Sequence, residues 1–309
     1  MVVWSILSSL ITIFILIIPG FLFCKGKVLT KEQTDGINSL IVNLTWPCLV
    51  IDGMQMEYSS QIMKDSLYTL GLCMAGFVLI CGMMGVFSKA AKWNKSRQFL
   101  ICFMLLFGNT GFIGIPVLKA LYGGEAVFYA AVIELINDIL IFTVGILLIQ
   151  KSAGVTLKMQ WRELFSPGMV GVILGLGLFL FEIKLPDFIG QAVSMLGNAT
   201  TPLTMFMIGV QLGGISWREL LRDSQVYLVS LLKLILIPVL FFLLLRIWKP
   251  EFSLLEKCII LSFAMPVGSV AAIFSKKYDS DAVFAAKSVL LSTVFCILTI
   301  PVFALLMEL

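Results

Sequence analysis

Gly108-Asn109-Thr110-Gly111-Phe112-Ile113-Gly114-Ile115-Pro116 decides the fold. The stretch sits in the middle of an apolar segment that runs from Phe99 to Tyr122. Apolar sequence on both sides predicts a membrane span. Three glycines, a proline, an Asn and a Thr at its centre predict that the helix does not run through. Gly is a poor helix former, and Pro removes a backbone donor and clashes with the preceding turn. Irregular backbone survives at membrane depth only where it faces protein or a watery cavity. A Pro-kinked helix with tight glycine packing is the alternative. A second interruption at Ala264-Met265-Pro266-Val267-Gly268-Ser269 weighs against it. Paired interrupted segments at corresponding places in two halves point to a transporter binding site.

The composition sets the class. The 309 residues are 60% hydrophobic and 13% charged, with a mean hydropathy of +1.04. Soluble domains are about 45–50% apolar and about 25% charged. Long unbroken apolar runs exclude a β-barrel, which needs short alternating strands. A net charge of +4 without a basic cluster predicts no nucleic-acid partner. The chain contains no histidine. That removes histidine triads, histidine metal sites and histidine pH switching together. The seven cysteines (Cys24, Cys48, Cys73, Cys81, Cys102, Cys258, Cys296) lie in or at the ends of apolar segments without a CxxC pair. They read as small apolar packing residues. No metal or cofactor is expected. The apolar N-terminus precedes its first lysine, Lys25, which reverses the charge order of a secretory signal and predicts a retained first helix.

Ten spans emerge from a window of roughly 20 residues: 3–24, 36–53, 67–88, 98–122, 126–150, 168–184, 190–212, 226–247, 254–276 and 282–307. The sixth is short and carries Gly168, Gly171, Gly175 and Gly177, which suits close helix packing. With the N-terminus outside, the cytoplasmic loops hold fourteen Lys and Arg: Lys25, Lys27, Lys31, Lys89, Lys92, Lys95, Arg97, Lys151, Lys158, Arg162, Arg218, Arg222, Lys276 and Lys277. The external segments hold six: Lys64, Lys119, Lys184, Arg246, Lys249 and Lys257. This bias predicts a multi-pass protein of the cell membrane with both termini outside.

Two internal matches divide the chain. Tyr122-Gly-Gly-Glu-Ala-Val-Phe128 pairs with Tyr278-Asp-Ser-Asp-Ala-Val-Phe284 at an offset of 156, and Asn43-Leu-Thr-Trp-Pro47 pairs with Asn198-Ala-Thr-Thr-Pro202 at 155. The expected organisation is a first five-helix repeat over 1–150 and a second over 151–309. Five spans is an odd number, so the second repeat enters the membrane inverted. Many secondary transporters share that arrangement.

The polar residues of the spans define the candidate site. Asn43, Thr45, Asn198 and Thr201 belong to the Asn-x-Thr-x-Pro elements of spans two and seven, where they either satisfy carbonyls freed by the prolines or line a site. Asn109, Thr110, Gly111, Gly114 and Pro116 mark the break in span four. Pro266, Gly268 and Ser269 mark the one in span nine. The half-helices after the breaks are expected to start near Ile113–Pro116 and near Pro266, because Pro suits the first helical turn. A helix N-terminus offers unpaired N–H groups and a partial positive charge, a ready anion site. A small carboxylate is its natural guest. Glu134 and Asp138 are four residues apart in span five and share one face. A mid-membrane carboxylate is costly and marks function by default. Lys233 of span eight and Lys287 of span ten are its candidate partners, and proton or sodium its candidate coupling ions. Walker A, GxSxG, HExxH and metal-ligand spacings are missing, so no enzyme is expected.

At Asn109-Thr-Gly-Phe-Ile-Gly-Ile-Pro116 the sequence resembles the auxin efflux carrier family, in its bacterial and archaeal branch. Asn198-Ala-Thr-Thr-Pro-Leu-Thr-Met-Phe-Met-Ile-Gly-Val210, Lys276-Lys-Tyr-Asp-Ser-Asp-Ala-Val-Phe-Ala-Ala286 and Val289-Leu-Leu-Ser-Thr293 extend the resemblance over essentially the whole chain. The resemblance implies ten helices in two inverted repeats, akin to bile acid–sodium symporters, with helices four and nine broken and crossing. It implies a scaffold of spans one, two, six and seven that forms a homodimer, and a transport bundle of the remaining spans. It implies small organic anions as substrates: auxin in plant members, malate- or malonate-type dicarboxylates in bacterial ones. The short link after span five departs from the long loop of many plant hormone exporters. Span nine lacks the Asn of span four, so the two arms are expected to contribute unequally. The expected function is secondary transport of a small mono- or dicarboxylate by alternating access. The alternatives are a sodium-coupled carrier of larger amphipathic acids and a non-transporting membrane receptor.

Overall fold

The computed structural model describes residues 2–90, 94–157, 166–214, 223–249 and 251–308. Lys92, Lys158, Arg162, Arg218 and Arg222 of the charge count lie outside the described residues. Among the described residues the chain is helical and has no β-strand. The helices are α1 Val2–Ile15, α2 Ile17–Lys25, α3 Lys31–Leu40, α4 Trp46–Gly53, α5 Ser60–Ala90, α6 Lys95–Leu106, α7 Ile115–Tyr122, α8 Gly124–Leu140 and α9 Ile146–Ala153. They continue as α10 Pro167–Leu180, α11 Asp187–Asn198, α12 Thr200–Gly213, α13 Ser224–Leu231, α14 Ile237–Trp248, α15 Leu254–Phe263, α16 Val270–Lys277 and α17 Ala282–Leu306. Among the described residues six helical stretches are long and apolar enough to cross a membrane: Trp4–Lys25, Ser60–Phe87, Gly124–Ala153, Asp187–Gly213, Ser224–Trp248 and Ala282–Leu306. Thr110–Tyr122 and Pro167–Leu180 are shorter apolar helices.

Proline explains how several spans bend without ending. Wide π turns at Ile41–Thr45, Thr110–Gly114 and Leu232–Leu236 lead into α4, α7 and α14. Each is followed two residues on by a proline: Pro47, Pro116 or Pro238. A proline ring cannot donate to the carbonyl one turn back and collides with it, so the preceding turn widens rather than breaks. A fourth π turn, Ile141–Gly145, joins α8 to α9 without a proline.

The contacts divide the chain into two units. One comprises Met1–Leu67, Gly111–Leu135 and Phe165–Ile215; the other comprises Tyr68–Thr110, Ile136–Leu164 and Ser216–Leu309. Two of the five boundaries fall between Thr110 and Gly111 and between Leu135 and Ile136, inside the fourth and fifth spans.

In the first unit α2 and α12 pack most closely, and α4 is held between α10 and α11. The α2–α12 contact is backbone on backbone. A Cβ on Gly20 would lie 1.8 Å from the Phe206 carbonyl oxygen, and one on Gly209 would lie 2.0 Å from that of Ile17. Gly209 and Gly213 form a small-xxx-small pair that permits this approach, the usual way helices associate where lipid supplies no hydrophobic drive. The glycine face of α10 lies on α4, with Gly171 against Pro47.

In the second unit α6 packs on α9, α13 and α16 pack on α17, and α14 packs on α15. Aromatic rings fill the space between helices. Phe241 stacks on Phe263 with centroids 3.9 Å apart, and Phe107 meets Phe103 at 4.9 Å and Phe77 at 5.7 Å. Offset and tilted ring pairs of this kind add to the burial itself.

The matched segments Tyr122–Phe128 and Tyr278–Phe284 hold equivalent places. Each forms the corner that leads from a short half-helix into a long helix, α7 to α8 and α16 to α17. Each turns through a residue with positive φ, Gly123 at 82° and Asp279 at 57°, and these positions are 156 apart. Gly takes this conformation without strain, and Asp is one of the residues that tolerates it.

Candidate functional site

Both interruptions form. Helix α6 ends at Leu106 and the chain runs extended through Phe107 to Asn109. Helix α15 ends at Phe263, and α16 begins at Val270. The second half-helix therefore starts four residues later than the proline rule placed it. Pro266 lies in the extended segment, not in a first helical turn. The cause is tertiary: its carbonyl is committed to the other break.

The two extended segments pair with each other. Gly108 and Val267 form an antiparallel bridge. The Asn109 amide donates to the Pro266 carbonyl at 2.8 Å, and the Gly268 amide donates to the Phe107 carbonyl at 3.0 Å. Two interrupted helices thereby satisfy backbone groups that lipid would leave unpaired, at a cost of several kcal/mol each. The approach is tight and favours glycine. A Cβ on Gly268 would stand 3.1 Å from the Gly108 oxygen, and one on Gly108 would stand 3.2 Å from Lys233 Nζ.

Side chains from three neighbouring elements support the pair. Ser292 of α17 accepts from the Val267 amide through Oγ at 3.1 Å while donating to the Ser288 carbonyl at 2.7 Å. Asn137 of α8 donates from Nδ2 to Thr110 Oγ1 at 2.9 Å. Asn137 and Ser292 are 155 positions apart, within one residue of the 156 offset that relates the corners before α8 and α17. Lys233, in the π turn before α14, is 1% exposed and donates from Nζ to the Leu105 carbonyl at 3.0 Å. That carbonyl belongs to the last turn of α6, where partners are missing and the helix dipole is negative.

The predicted residues fall into distinct groups. Asn109, Thr110, Pro266, Gly268 and Ser269 come together at the paired breaks. Asn109 and Thr110 are buried, and Asn109 Nδ2 reaches Ser269 Oγ at 3.5 Å, the outer limit of a hydrogen bond. Asp138 is half-buried on the same unit's part of α8. Lys233 is bonded to the Leu105 carbonyl and forms no ion pair among the described residues, so the Asp138–Lys233 pairing considered from the sequence is not made. Lys287 is half-buried in the second turn of α17.

Gly111, Gly114, Pro116 and Glu134 belong to the first unit. Gly114 caps α7, and Pro116 lies in its first turn. Glu134 is buried, and a Cβ on Gly111 would fall 2.8 Å from its Oε1 and 3.5 Å from Trp46 Nε1. Asn43 is exposed and donates to the Ser39 carbonyl at 2.8 Å on its own helix. Asn198 is exposed and accepts from Lys119 Nζ at 2.8 Å. Thr201 is half-buried, and its carbonyl accepts from Thr204.

Three residues outside the predicted set stand out. Thr200 is the repeat equivalent of Thr45. Both hydroxyls are buried without a hydrogen-bond partner among the described residues, as is the indole N–H of Trp46. Lys119, counted from the sequence only as a loop charge, lines a cavity of about 260 Å³ together with Asp52, Gln55 and Glu125. The repeat alignment already paired Thr200 with Thr45. Nothing in the sequence distinguished Lys119. Among the described residues no group of three or more Cys, Asp or Glu side chains is placed to hold a metal ion.

Fold and site together define a polytopic helical membrane protein built around two interrupted helices whose breaks pair through their backbones. The chain belongs to the membrane transport protein family, whose model matches residues 5–160 and 153–304. Relatives run its full length. An uncharacterized transporter of Methanothermobacter thermautotrophicus is 22% identical over 303 residues, covering 97% of this chain and 98% of the relative. An uncharacterized transporter of Methanocaldococcus jannaschii is 22% identical over 307 residues, covering 95% and 96%. Auxin efflux carrier component 8 of Arabidopsis thaliana is 19% identical over 335 residues, covering 90% of each. The chain is thus similar both to archaeal transporters and, at lower identity, to a plant auxin efflux carrier component.

Proposed function

We propose that the protein is a secondary active transporter of a small organic anion, a mono- or dicarboxylate, which binds at the paired breaks and crosses by alternating access. The paired breaks carry this reading. They join Asn109, Thr110 and Ser269 to the start of α16 in one buried place. Hydrogen-bonding groups without a carboxylate, beside a helix start, suit an anion. The ten helical segments then form two inverted five-helix repeats in the cell membrane, both termini are outside, and a homodimer is the working assembly. Asp138 or Glu134 serves as the group that links transport to a proton or a sodium ion, because a carboxylate at membrane depth must be protonated, paired or cation-bound.

Reconstitution into proteoliposomes tests the reading. Uptake of a radiolabelled carboxylate driven by a proton or sodium gradient is expected, and no uptake of any organic acid under either gradient refutes it. Asp138→Asn imitates the protonated carboxyl. It should preserve anion exchange and abolish accumulation driven by a pH gradient. Undiminished pH-driven accumulation in that variant removes Asp138 from coupling.

A further inference from the structure

Among the described residues Lys233 is the most deeply buried cation of the second unit and has no counter-charge. Its residue is 1% exposed. Its Nζ makes one hydrogen bond, to the Leu105 carbonyl at 3.0 Å, and among the described residues the remaining two N–H groups have no acceptor. Acidic partners are present elsewhere in this unit: Arg97 pairs with Asp281 at 2.7 Å, Lys249 with Glu256 at 2.5 Å and Lys257 with Glu308 at 2.6 Å. Lys233 takes none of them.

Its place explains why that matters. Nζ would be 3.2 Å from a Cβ on Gly108, the residue that forms the bridge to Val267. Asn109 follows directly in the chain, with its side chain directed to Ser269. An ammonium buried without an anion is costly at membrane depth, and a single helix-end carbonyl compensates only part of that cost. Capping α6 alone would not need a charge, since a hydroxyl or amide donor satisfies a carbonyl without burying an ammonium. A charge retained here, beside neutral donors, has work to do when a negative group arrives.

We propose that Lys233 binds the transported anion directly, its ammonium pairing with a carboxylate of the substrate at the paired breaks. The assignment rests on the carrier reading above and sharpens it. Lys233 supplies the charge selectivity, and Asn109 and Ser269 supply orientation. The bound carboxylate takes the two unused N–H groups while the third keeps its bond to Leu105. Uncharged analogues of the same shape leave the ammonium unpaired and bind weakly.

The test is ligand binding to the purified full chain in detergent, read by thermal shift and calorimetry. The probes are acetate, malonate, malate and indole-3-acetate, each beside its amide. Wild-type protein should bind at least one acid about 30- to 100-fold more tightly than its amide, the range of a buried charge-assisted pair. Lys233→Met should lose that preference by weakening the acid, with the amide changed less than about threefold. Lys233→Arg keeps the charge and should keep the preference. If Lys233→Met binds the acid within about threefold of wild type, Lys233 only caps α6 and the proposal falls. If Lys233→Met does not fold, the wild-type ratio still decides, because equal binding of acid and amide overturns the proposal. Absence of binding by every probe refutes the carrier reading itself, a result distinct from acid and amide binding equally.

Discussion

The two interruptions share a backbone plan and differ in chemistry. The one after α6 brings polar side chains: Asn109, Thr110 and, through Thr110, Asn137. The one after α15 brings mostly backbone, with Ser269 as its one side chain directed to Asn109. Pro266 offers its carbonyl, Gly268 its amide, and Val267 an amide that Ser292 satisfies. Proline stands on opposite sides of the two turns. Pro116 follows a π turn and lies inside α7, whereas Pro266 precedes α16 by four residues. On the proposed carrier reading the first arm supplies most of the recognition and the second, apart from Ser269, mainly holds the pair together. Repeated architecture therefore does not require repeated function, and the absence of an Asn in span nine has a structural counterpart.

The most severe way to break this comparison is to part the two arms. Gly268→Val places a side chain against the Gly108 and Phe107 carbonyls, which stand 3.1 and 3.2 Å from the Cβ position. Loss of two backbone hydrogen bonds and overpacking should cost about 2–4 kcal/mol. A large drop in melting temperature in detergent, with transport abolished, is expected. Near-wild-type stability would mean that the arms do not depend on each other.

Ser292→Ala tests the holding arm alone. It orphans the buried Val267 amide, which should cost about 1–3 kcal/mol of stability. Anion affinity, measured on the fraction that stays folded, should change little. A selective loss of affinity at unchanged melting temperature would assign Ser292 to recognition instead.

Asn109→Ala and Ser269→Ala sharpen the contrast from the other side. Asn109→Ala should weaken anion binding by about 1–3 kcal/mol if a charged group is contacted. Ser269→Ala removes only a 3.5 Å contact and should cost less than about 1 kcal/mol. Equal losses in calorimetry would show two equivalent arms.

The smallest effect is expected far from both arms. Glu32 lies in the first turn of α3, outside the spans. Its own backbone N–H, and then the Thr30 side chain, hold its carboxyl below the ordinary carboxylate value. A depressed value means its contribution is present above the ordinary carboxylate range and fades as pH falls through the lowered one. The group is fully exposed, so Glu32→Gln should leave the melting temperature at neutral pH almost unchanged and flatten only its acid limb.

Several of these features were legible beforehand. Glycine and proline inside an apolar run mark a broken helix because they act on the local backbone, and both breaks occur where those residues stand. The repeat located two equivalent corners through the Tyr, Ala, Val and Phe that the two segments share, and each corner turns through positive φ at the residue after its tyrosine, Gly123 and Asp279. The start of α16 was misplaced because a proline rule ignores a carbonyl already engaged elsewhere. Thr200 was legible as the repeat partner of Thr45, but that its hydroxyl is buried while Thr201 is half-buried depends on packing. Lys233 was matched to Asp138 by charge, whereas its Nζ found a helix-end carbonyl 128 residues away in the chain.

The sequence by itself determined that this chain is an all-helical membrane protein with two interrupted spans, because hydropathy and backbone propensity are properties of short segments. Only the tertiary structure decided that the interruptions pair through Asn109, Pro266, Phe107 and Gly268, and that Lys233 lies beside them with no counter-charge among the described residues. Hydrogen bonds between segments some 160 residues apart depend on how helices pack, and packing is decided by glycine contacts and ring stacking spread over the whole chain.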